Sequence, residues 1–283
     1  MLTDPRYARL EAGLRARGGC LVAYSGGVDS TFLLTVARRA LGDRAAAATV
    51  RTLFLDRAEV DDARRRAEAI GASHEIVELD LARSPEVLAN PPDRCYHCKR
   101  LVFSTLRRRA DELGLPALLD ATHADDLRER RPGVRALREL GVASPLAEAG
   151  LGKADIRALS AALGIEGAGR PSSPCLATRV PYGTAITPEK LRRISGAENV
   201  LRALGFAGTR VRDYGDLARI ELQPADLERA ALWPLRRGIV EPLLDLGYRY
   251  VTLDLAGYRS GSMDEVLPTA ELARERLVKQ EGS

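Results

Sequence analysis

Three cysteines and one glycine-rich loop carry most of the chemistry open to this sequence. Cys95-Tyr96-His97-Cys98 is a CxxC pair, and Cys175 stands far away in Ser173-Pro174-Cys175-Leu176-Ala177-Thr178-Arg179-Val180-Pro181-Tyr182-Gly183. Structural zinc takes four closed ligands; the three thiols are one short, and His97 between the pair is badly placed to join them on one ion. Three thiolates can hold a 4Fe–4S cluster with one iron left open for an exogenous ligand. A redox CxxC would follow a strand and open a helix. This pair does open a helix, but it follows Asn90-Pro91-Pro92-Asp93-Arg94, without the surrounding thioredoxin pattern. A further reading makes Cys175 a single nucleophile or sulfur donor. Arg170 and Arg179, close in sequence, would lower its pKa and enrich the thiolate. Cys20 lies in an apolar run, where free cysteine is ordinary core, and receives no role.

The second feature is Cys20-Leu21-Val22-Ala23-Tyr24-Ser25-Gly26-Gly27-Val28-Asp29-Ser30. An apolar strand runs into a tight loop that opens a helix. Two glycines let backbone N–H groups approach an anion, and the helix N-terminus adds positive potential. Ser25 and Ser30 contribute hydroxyls. The Gly-Lys-Ser/Thr of the Walker P-loop is absent.

The elements that must position these groups alternate between strand and helix. An amphipathic helix over 1–19 leads to strands at Leu21–Tyr24, Ala45–Leu53, His74–Leu79 and Ala117–Ala121. Helices are expected at 29–41, Glu59–Ile70 (closed by Gly71), Leu101–Leu113 and Lys153–Leu163. The class is α/β: a doubly wound parallel sheet, with ligands at the carboxyl ends of its strands. Residues 167–188 are rich in Gly and Pro and read as a linker or active-site crossing. Beyond them the pattern is that of a smaller α+β C-terminal domain. It has a helix at Glu189–Leu204, a hairpin of Thr209–Tyr214 and Leu217–Leu222 around Gly215-Asp216, a helix at Ala225–Arg237 and a strand at Tyr248–Asp254. Domains of 1–180 and 181–283 follow, with Trp233 and Tyr248–Tyr250 in the second core and a charged helix from Pro268.

The Ser25–Ser30 loop resembles the SGGxDS pyrophosphate loop of the PP-loop ATP pyrophosphatase superfamily. Over nearly the whole chain the sequence resembles the LarE family of ATP-dependent sulfur transferases. The matching stretches are Ser25–Ser30, Arg94–Arg100, Ala121–Leu127 with Arg131-Pro132-Gly133, Ser144-Pro145-Leu146 with Lys153, Pro174–Gly183 and Thr209–Arg212. The resemblance implies that ATP adenylates a carboxylate of pyridinium-3,5-biscarboxylic acid mononucleotide with release of pyrophosphate. A sulfur nucleophile then displaces AMP to give a thiocarboxylate, a step in nickel-pincer cofactor synthesis. It implies ATP and Mg2+ at Ser25, Gly26, Gly27, Asp29 and Ser30, with Asp29 approaching the metal and Thr52 near the adenine. Asp125 and Asp126 either hold magnesium or position the adenylate, or else cap a short helix. Lys153 either touches phosphate or is a surface lysine. Arg210 and Arg212 share one face of a strand and, with Arg179 and Glu198, are implied for the substrate and its phosphate. Members of the family split by sulfur source. One type sacrifices the cysteine matching Cys175 to dehydroalanine. The other adds a CxxC and carries the sulfide on a 4Fe–4S cluster, here implied at Cys95, Cys98 and Cys175. Holding all three cysteines points this chain to the cluster type. A homo-oligomer is also implied.

Composition sets the outer bounds. With 283 residues and 45% hydrophobic content, the chain can bury a real core. No apolar run approaches the roughly 20 residues of a membrane span, and the first residues lack a signal-peptide apolar region, so a cytoplasmic protein is expected. The net charge of +4 could suit nucleic acid. However, among 43 basic residues only Lys99, Lys153, Lys190 and Lys279 are lysines, so arginine clusters reflect a compositional habit. Arg64-Arg65-Arg66 and Arg107-Arg108-Arg109 read as solvated faces, and no nucleic-acid partner is expected. Competing functions are a tRNA thiolase and an amide-forming ATP pyrophosphatase of the same superfamily, and a nucleotide sensor without catalysis.

Overall fold

The computed structural model describes residues 3–127, 132–166, 174–259, 261–263, 265 and 267. The described residues fall into two compact units. The first takes those within Met1–Leu81 and Asp93–Ser172, the second those within Ala82–Pro92 and Ser173–Glu271. In chain order the elements begin α1 (Pro5–Ala16), β1 (Cys20–Ala23), α2 (Val28–Leu41), β2 (Ala45–Arg51), α3 (Arg57–Ile70) and β3 (Ser73–Glu78). They continue with α4 (Pro85–Leu88), α5 (Arg94–Glu112), β4 (Ala117–Leu119), α6 (Gly133–Glu139), α7 (Pro145–Glu148) and α8 (Lys153–Ala162). The last are α9 (Pro188–Ala203), β5 (Arg210–Tyr214), β6 (Leu217–Glu221), α10 (Leu227–Ala231), α11 (Leu235–Asp245) and β7 (Tyr250–Leu253).

The first unit is the expected parallel sheet, four strands in the order β3-β2-β1-β4. Its inner strands read as continuous apolar runs because both faces are covered by helices. Cys20 and Val22 face a core built with Tyr7, Leu10, Phe32, Leu34, Ile156 and Leu159 from α1, α2 and α8. Leu21 faces the opposite core of Phe103, Leu106, Leu118 and Leu137. Small residues in β2 (Ala45–Ala48, all buried) let the flanking helices approach closely. Gly71 closes α3 in the left-handed conformation, φ 71°, which costs glycine nothing. One helix is longer than its periodicity suggested. The helix expected from Leu101 begins at Arg94, so Cys95 and Cys98 lie in its first two turns. The chain moves from β1 to β2 on one side and later to β4 on the other, so its direction of winding reverses at β1. The carboxyl end of that strand is the switch point where such sheets bind ligands.

The second unit has a three-stranded sheet in the order β5-β6-β7. β5 and β6 form the expected antiparallel hairpin about Gly215-Asp216, and β7 joins parallel to β6. Ala197 and Leu201 of α9 and Ile239 and Leu243 of α11 pack with Val211, Ala218 and Ile220. Asn90 is fully buried and its side-chain amide donates to the carbonyls of Val180 (3.1 Å) and Pro181 (2.8 Å). That ties 82–92 to the segment after Cys175. Two expectations fail here. The helix drawn over Ala225–Arg237 is interrupted, with α10 ending at Ala231 and α11 starting at Leu235. Pro234, which has no amide hydrogen to continue a helix, lies at the break. Of the aromatic residues assigned to the core, Tyr248 is buried, but Trp233 and Tyr250 are 62% and 63% exposed. Trp233 sits in the interruption, and Tyr250 is on the edge strand β7. The charged helix expected from Pro268 lies outside the described residues.

Phe32 is wholly buried and its ring stands 6.5 Å from that of Tyr7. Phe32→Ala is expected to cost about 3–5 kcal/mol through lost transfer energy and the cavity left behind, read as a fall in the urea unfolding midpoint.

Candidate active site

The Ser25–Ser30 loop leaves β1 at the switch point and turns directly into α2. Gly26 has φ 71°, and a Cβ there would lie 2.9 Å from both the Cα and Cβ of Ala63 in α3. Both the backbone angle and the neighbouring helix therefore require glycine. Gly27 caps α2 with no side-chain hydrogen bond to the first-turn amides, as at an anion-receiving helix start. The Ser30 hydroxyl is buried and closes the loop from inside, accepting from Ser25 N (3.3 Å) and donating to Gly27 O (3.2 Å). Ser25 is exposed, with Oγ 3.1 Å from Ser30 Oγ.

Around the loop the structure gathers Asp29, Lys153 and Asp125. Lys153 Nζ lies 2.7 and 2.6 Å from the two carboxylate oxygens of Asp29. Asp125 accepts the backbone N–H of Lys153 at 2.7 Å. Its capping role is thus on α8, not on its own 3-10 turn, Ala124–Leu127. Asp126 is buried and accepts His123 N at 3.1 Å. Thr52 follows β2, and its Oγ1 accepts from Phe54 N at 3.2 Å.

Cys95 and Cys98 are half-buried thiols, three residues apart and so on one face of α5. The Arg94 guanidinium donates to Cys95 Sγ at 3.6 Å. Between them, Tyr96 is buried and donates to Glu139 at 2.8 Å, with the Arg135 guanidinium 3.5 Å from its ring centre. His97 turns back to Asp93 (3.2 Å). Among the described residues no three His, Cys, Asp or Glu side chains are grouped to hold a metal ion.

In the second unit Cys175 is half-buried and precedes the 3-10 turn Leu176–Arg179. Arg179 is 1% exposed and makes two parallel bonds to Glu198 (2.8 and 3.0 Å). Its Nη1 donates to the carbonyls of Pro174 (2.6 Å) and Cys175 (3.2 Å), so this guanidinium fixes the backbone that carries the thiol. Glu198 also accepts Val211 N at 3.1 Å. Arg210 and Arg212 lie on β5 at alternate positions and both are buried. Arg212 forks onto Glu221 (3.0 and 2.7 Å) and donates to Thr178 O at 2.7 Å. Burial and the nearby charge of Arg179 push the Arg210 pKa down. Arg170 lies outside the described residues.

Sequence reasoning missed Glu221 and Asp120. Glu221 pairs with Arg210 across the hairpin, a partnership set by register. Asp120 is buried at the end of β4, accepts from Ser144 Oγ (2.6 Å) and Thr122 Oγ1 (2.5 Å), and has Lys99 Nζ at 3.7 Å. Its signal was a lone carboxylate ending an apolar strand.

A parallel sheet with its winding reversed at β1, and a glycine-rich SGGxDS loop at that reversal, define an α/β protein of the PP-loop superfamily. No protein-family model matches the chain. The pyridinium-3,5-bisthiocarboxylic acid mononucleotide synthase of Lactiplantibacillus plantarum is 38% identical over 95% of this chain and 97% of its own length. An uncharacterised Synechocystis protein is 43% identical over 87% of this chain and 92% of its own. A glutamine-hydrolysing GMP synthase subunit of Thermoplasma acidophilum is 27% identical over 68% of this chain and 66% of its own length. The chain belongs to the LarE family, that of the bisthiocarboxylic acid mononucleotide synthase. No described helix is long and apolar enough to cross a membrane.

Two outcomes test the local chemistry. Gly26→Ala is expected to lose on the order of 1–2 kcal/mol to the left-handed backbone alone, read by urea unfolding. Burial pushes the Cys20 thiol up to about 12. Peptide mapping after iodoacetamide treatment of the folded protein near pH 8 is expected to find Cys20 unmodified, because only thiolate reacts.

Proposed function

We propose that this chain is an ATP-dependent sulfurtransferase that converts carboxylates of pyridinium-3,5-biscarboxylic acid mononucleotide to thiocarboxylates through an acyl-adenylate. The observation that carries this reading is the joint presence of the Ser25–Ser30 loop and the Arg179-braced Cys175. Both occur in a chain 38% identical, over 95% of its length, to a bisthiocarboxylic acid mononucleotide synthase. In the first half-reaction a substrate carboxylate oxygen attacks the α-phosphorus of ATP, and pyrophosphate leaves. The amides of Gly26, Gly27 and the first turn of α2, with the Ser25 hydroxyl, are its donors, and Ser30 keeps the loop closed. Preorganised donors of this kind stabilise charge as it develops. Asp29 and Asp125 are hard oxygen donors suited to a magnesium ion carried by the nucleotide. Asp126 keeps the turn bearing Asp125 in place. Thr52, past the carboxyl end of β2, is assigned to the adenine side.

In the second half-reaction a sulfur nucleophile attacks the acyl carbon and AMP leaves. Arg210 is assigned to the mononucleotide phosphate, an anion that a guanidinium fork matches, and Arg212, whose fork grips Glu221, to holding the strand that carries it. The sulfur is assigned to the thiol set. Cys95 and Cys98, on one face of α5, and Cys175 are the thiolates that would hold a 4Fe–4S cluster, which when bound would supply the transferred sulfide. Without a cluster, Cys175 Sγ attacks the acyl carbon itself. Loss of the Cα proton then breaks Cβ–Sγ, releasing the thiocarboxylate and leaving dehydroalanine.

Incubation with ATP and the dicarboxylate mononucleotide is expected to release pyrophosphate. Cys175→Ala keeps that release but forms no thiocarboxylate; unchanged sulfur transfer in this variant overturns the mechanism. Intact mass after one turnover assigns the source. A brown protein of unchanged polypeptide mass means the cluster, and a chain lighter by one hydrogen sulfide means Cys175. The GMP synthase relatives support a second reading, amide formation. It requires full activity with ammonia after replacement of Cys95, Cys98 and Cys175.

A further inference from the structure

Beyond β7 the chain turns back on the second sheet and delivers one aromatic ring to its charged face. The turn is fixed at Asp254, whose carbonyl accepts Gly257 N at 3.0 Å and whose carboxylate accepts Ala256 N at 2.9 Å. Gly257 has φ 69°, and a Cβ there would lie 3.0 Å from the carbonyl oxygen of Leu222 and 3.3 Å from Pro224. The left-handed backbone and the close approach both call for glycine. Tyr258 N then donates to Leu222 O at 2.7 Å. Leu222 follows Glu221, the register partner of Arg210, so Tyr258 arrives at the Arg210 end of the sheet. Its ring centre stands 5.1 Å from the Arg210 guanidinium carbon. Core packing does not account for this ring. Tyr248, the core tyrosine of this unit, is 2% exposed, whereas Tyr258 is only half-buried and lies beside a buried cation.

We propose that Tyr258 selects the ring of the substrate: with the mononucleotide phosphate on Arg210, the flat pyridinium cation lies against the open part of the Tyr258 ring. The inference rests on the reading of Arg210 above and adds the residue that recognises the ring. In a mononucleotide one ribose separates phosphate from ring, so an aromatic side chain next to the phosphate-binding guanidinium is where the ring falls. The face of an aromatic side chain carries negative potential and attracts a cation over its centre. The bound phosphate cancels the charge of Arg210, so the pyridinium meets little repulsion from that side. The phenol oxygen has no part in the contact, and phenylalanine serves as well as tyrosine. A flat ring without charge gains only dispersion and area from the same seat.

Isothermal titration without ATP reads this contact apart from turnover, with three probes: nicotinic acid mononucleotide, uridine 5′-monophosphate and ribose 5-phosphate. The wild-type protein is expected to bind the pyridinium mononucleotide most tightly. Tyr258→Leu is expected to weaken that probe roughly three- to thirtyfold, the scale of a partly desolvated cation–π contact, while ribose 5-phosphate changes less than about twofold on the same scale. Tyr258→Phe keeps the wild-type order. Equal losses for all three probes in Tyr258→Leu overturn the inference and reduce the ring to a brace for Arg210. So does an equal loss for the uridine nucleotide, because charge is then not what is read. A wild-type protein without preference for the pyridinium probe overturns it independently of how well the variant folds. A wild-type protein that binds none of the three overturns the assignment of the mononucleotide phosphate to Arg210 instead.

Discussion

The reversal of winding at β1 is the constraint on which the first unit's chemistry depends. β1 is an inner strand paired with β2 on one side and β4 on the other, so the loop that leaves its carboxyl end emerges where the winding changes direction. The loop emerging at that point is bounded by α3, which comes so close to Gly26 that no side chain fits. The same packing sets α8 against α2 and so delivers Lys153 to Asp29. Apolar packing inside the sheet thus determines where the polar groups meet, and the polar contacts refine a position already chosen.

The second unit is organised by a different force. Arg179 with Glu198, and Arg212 with Glu221, are forked ion pairs almost wholly removed from water. Burying such pairs costs nearly as much as their attraction returns, whereas removing one partner costs about 3–5 kcal/mol. Their value lies in geometry. Each guanidinium also donates to backbone carbonyls, Arg179 to those of Pro174 and Cys175 and Arg212 to that of Thr178. The sheet's charged face and the cysteine segment consequently form one rigid body of hydrogen bonds.

What was legible in the sequence was whatever depends on local spacing. The loop, the helix stop at Gly71, the hairpin at Gly215-Asp216 and the shared face of Arg210 and Arg212 all follow from short-range pattern. Partnerships across the fold were not legible. Nothing in the sequence pairs Asp125 with the amide of Lys153, or Glu221 with Arg212, because register and crossing geometry decide those contacts. Exposure of aromatics was also misread. Trp233 and Tyr250 have the composition of core, and only the break at Pro234 and the edge position of β7 keep them outside.

The grip of Arg179 reaches residue 175 entirely through carbonyl oxygens. Both acceptors belong to the backbone, so this hold on the segment is separable from the thiol: a change of side chain at 175 removes a sulfur and leaves both carbonyl acceptors where they are.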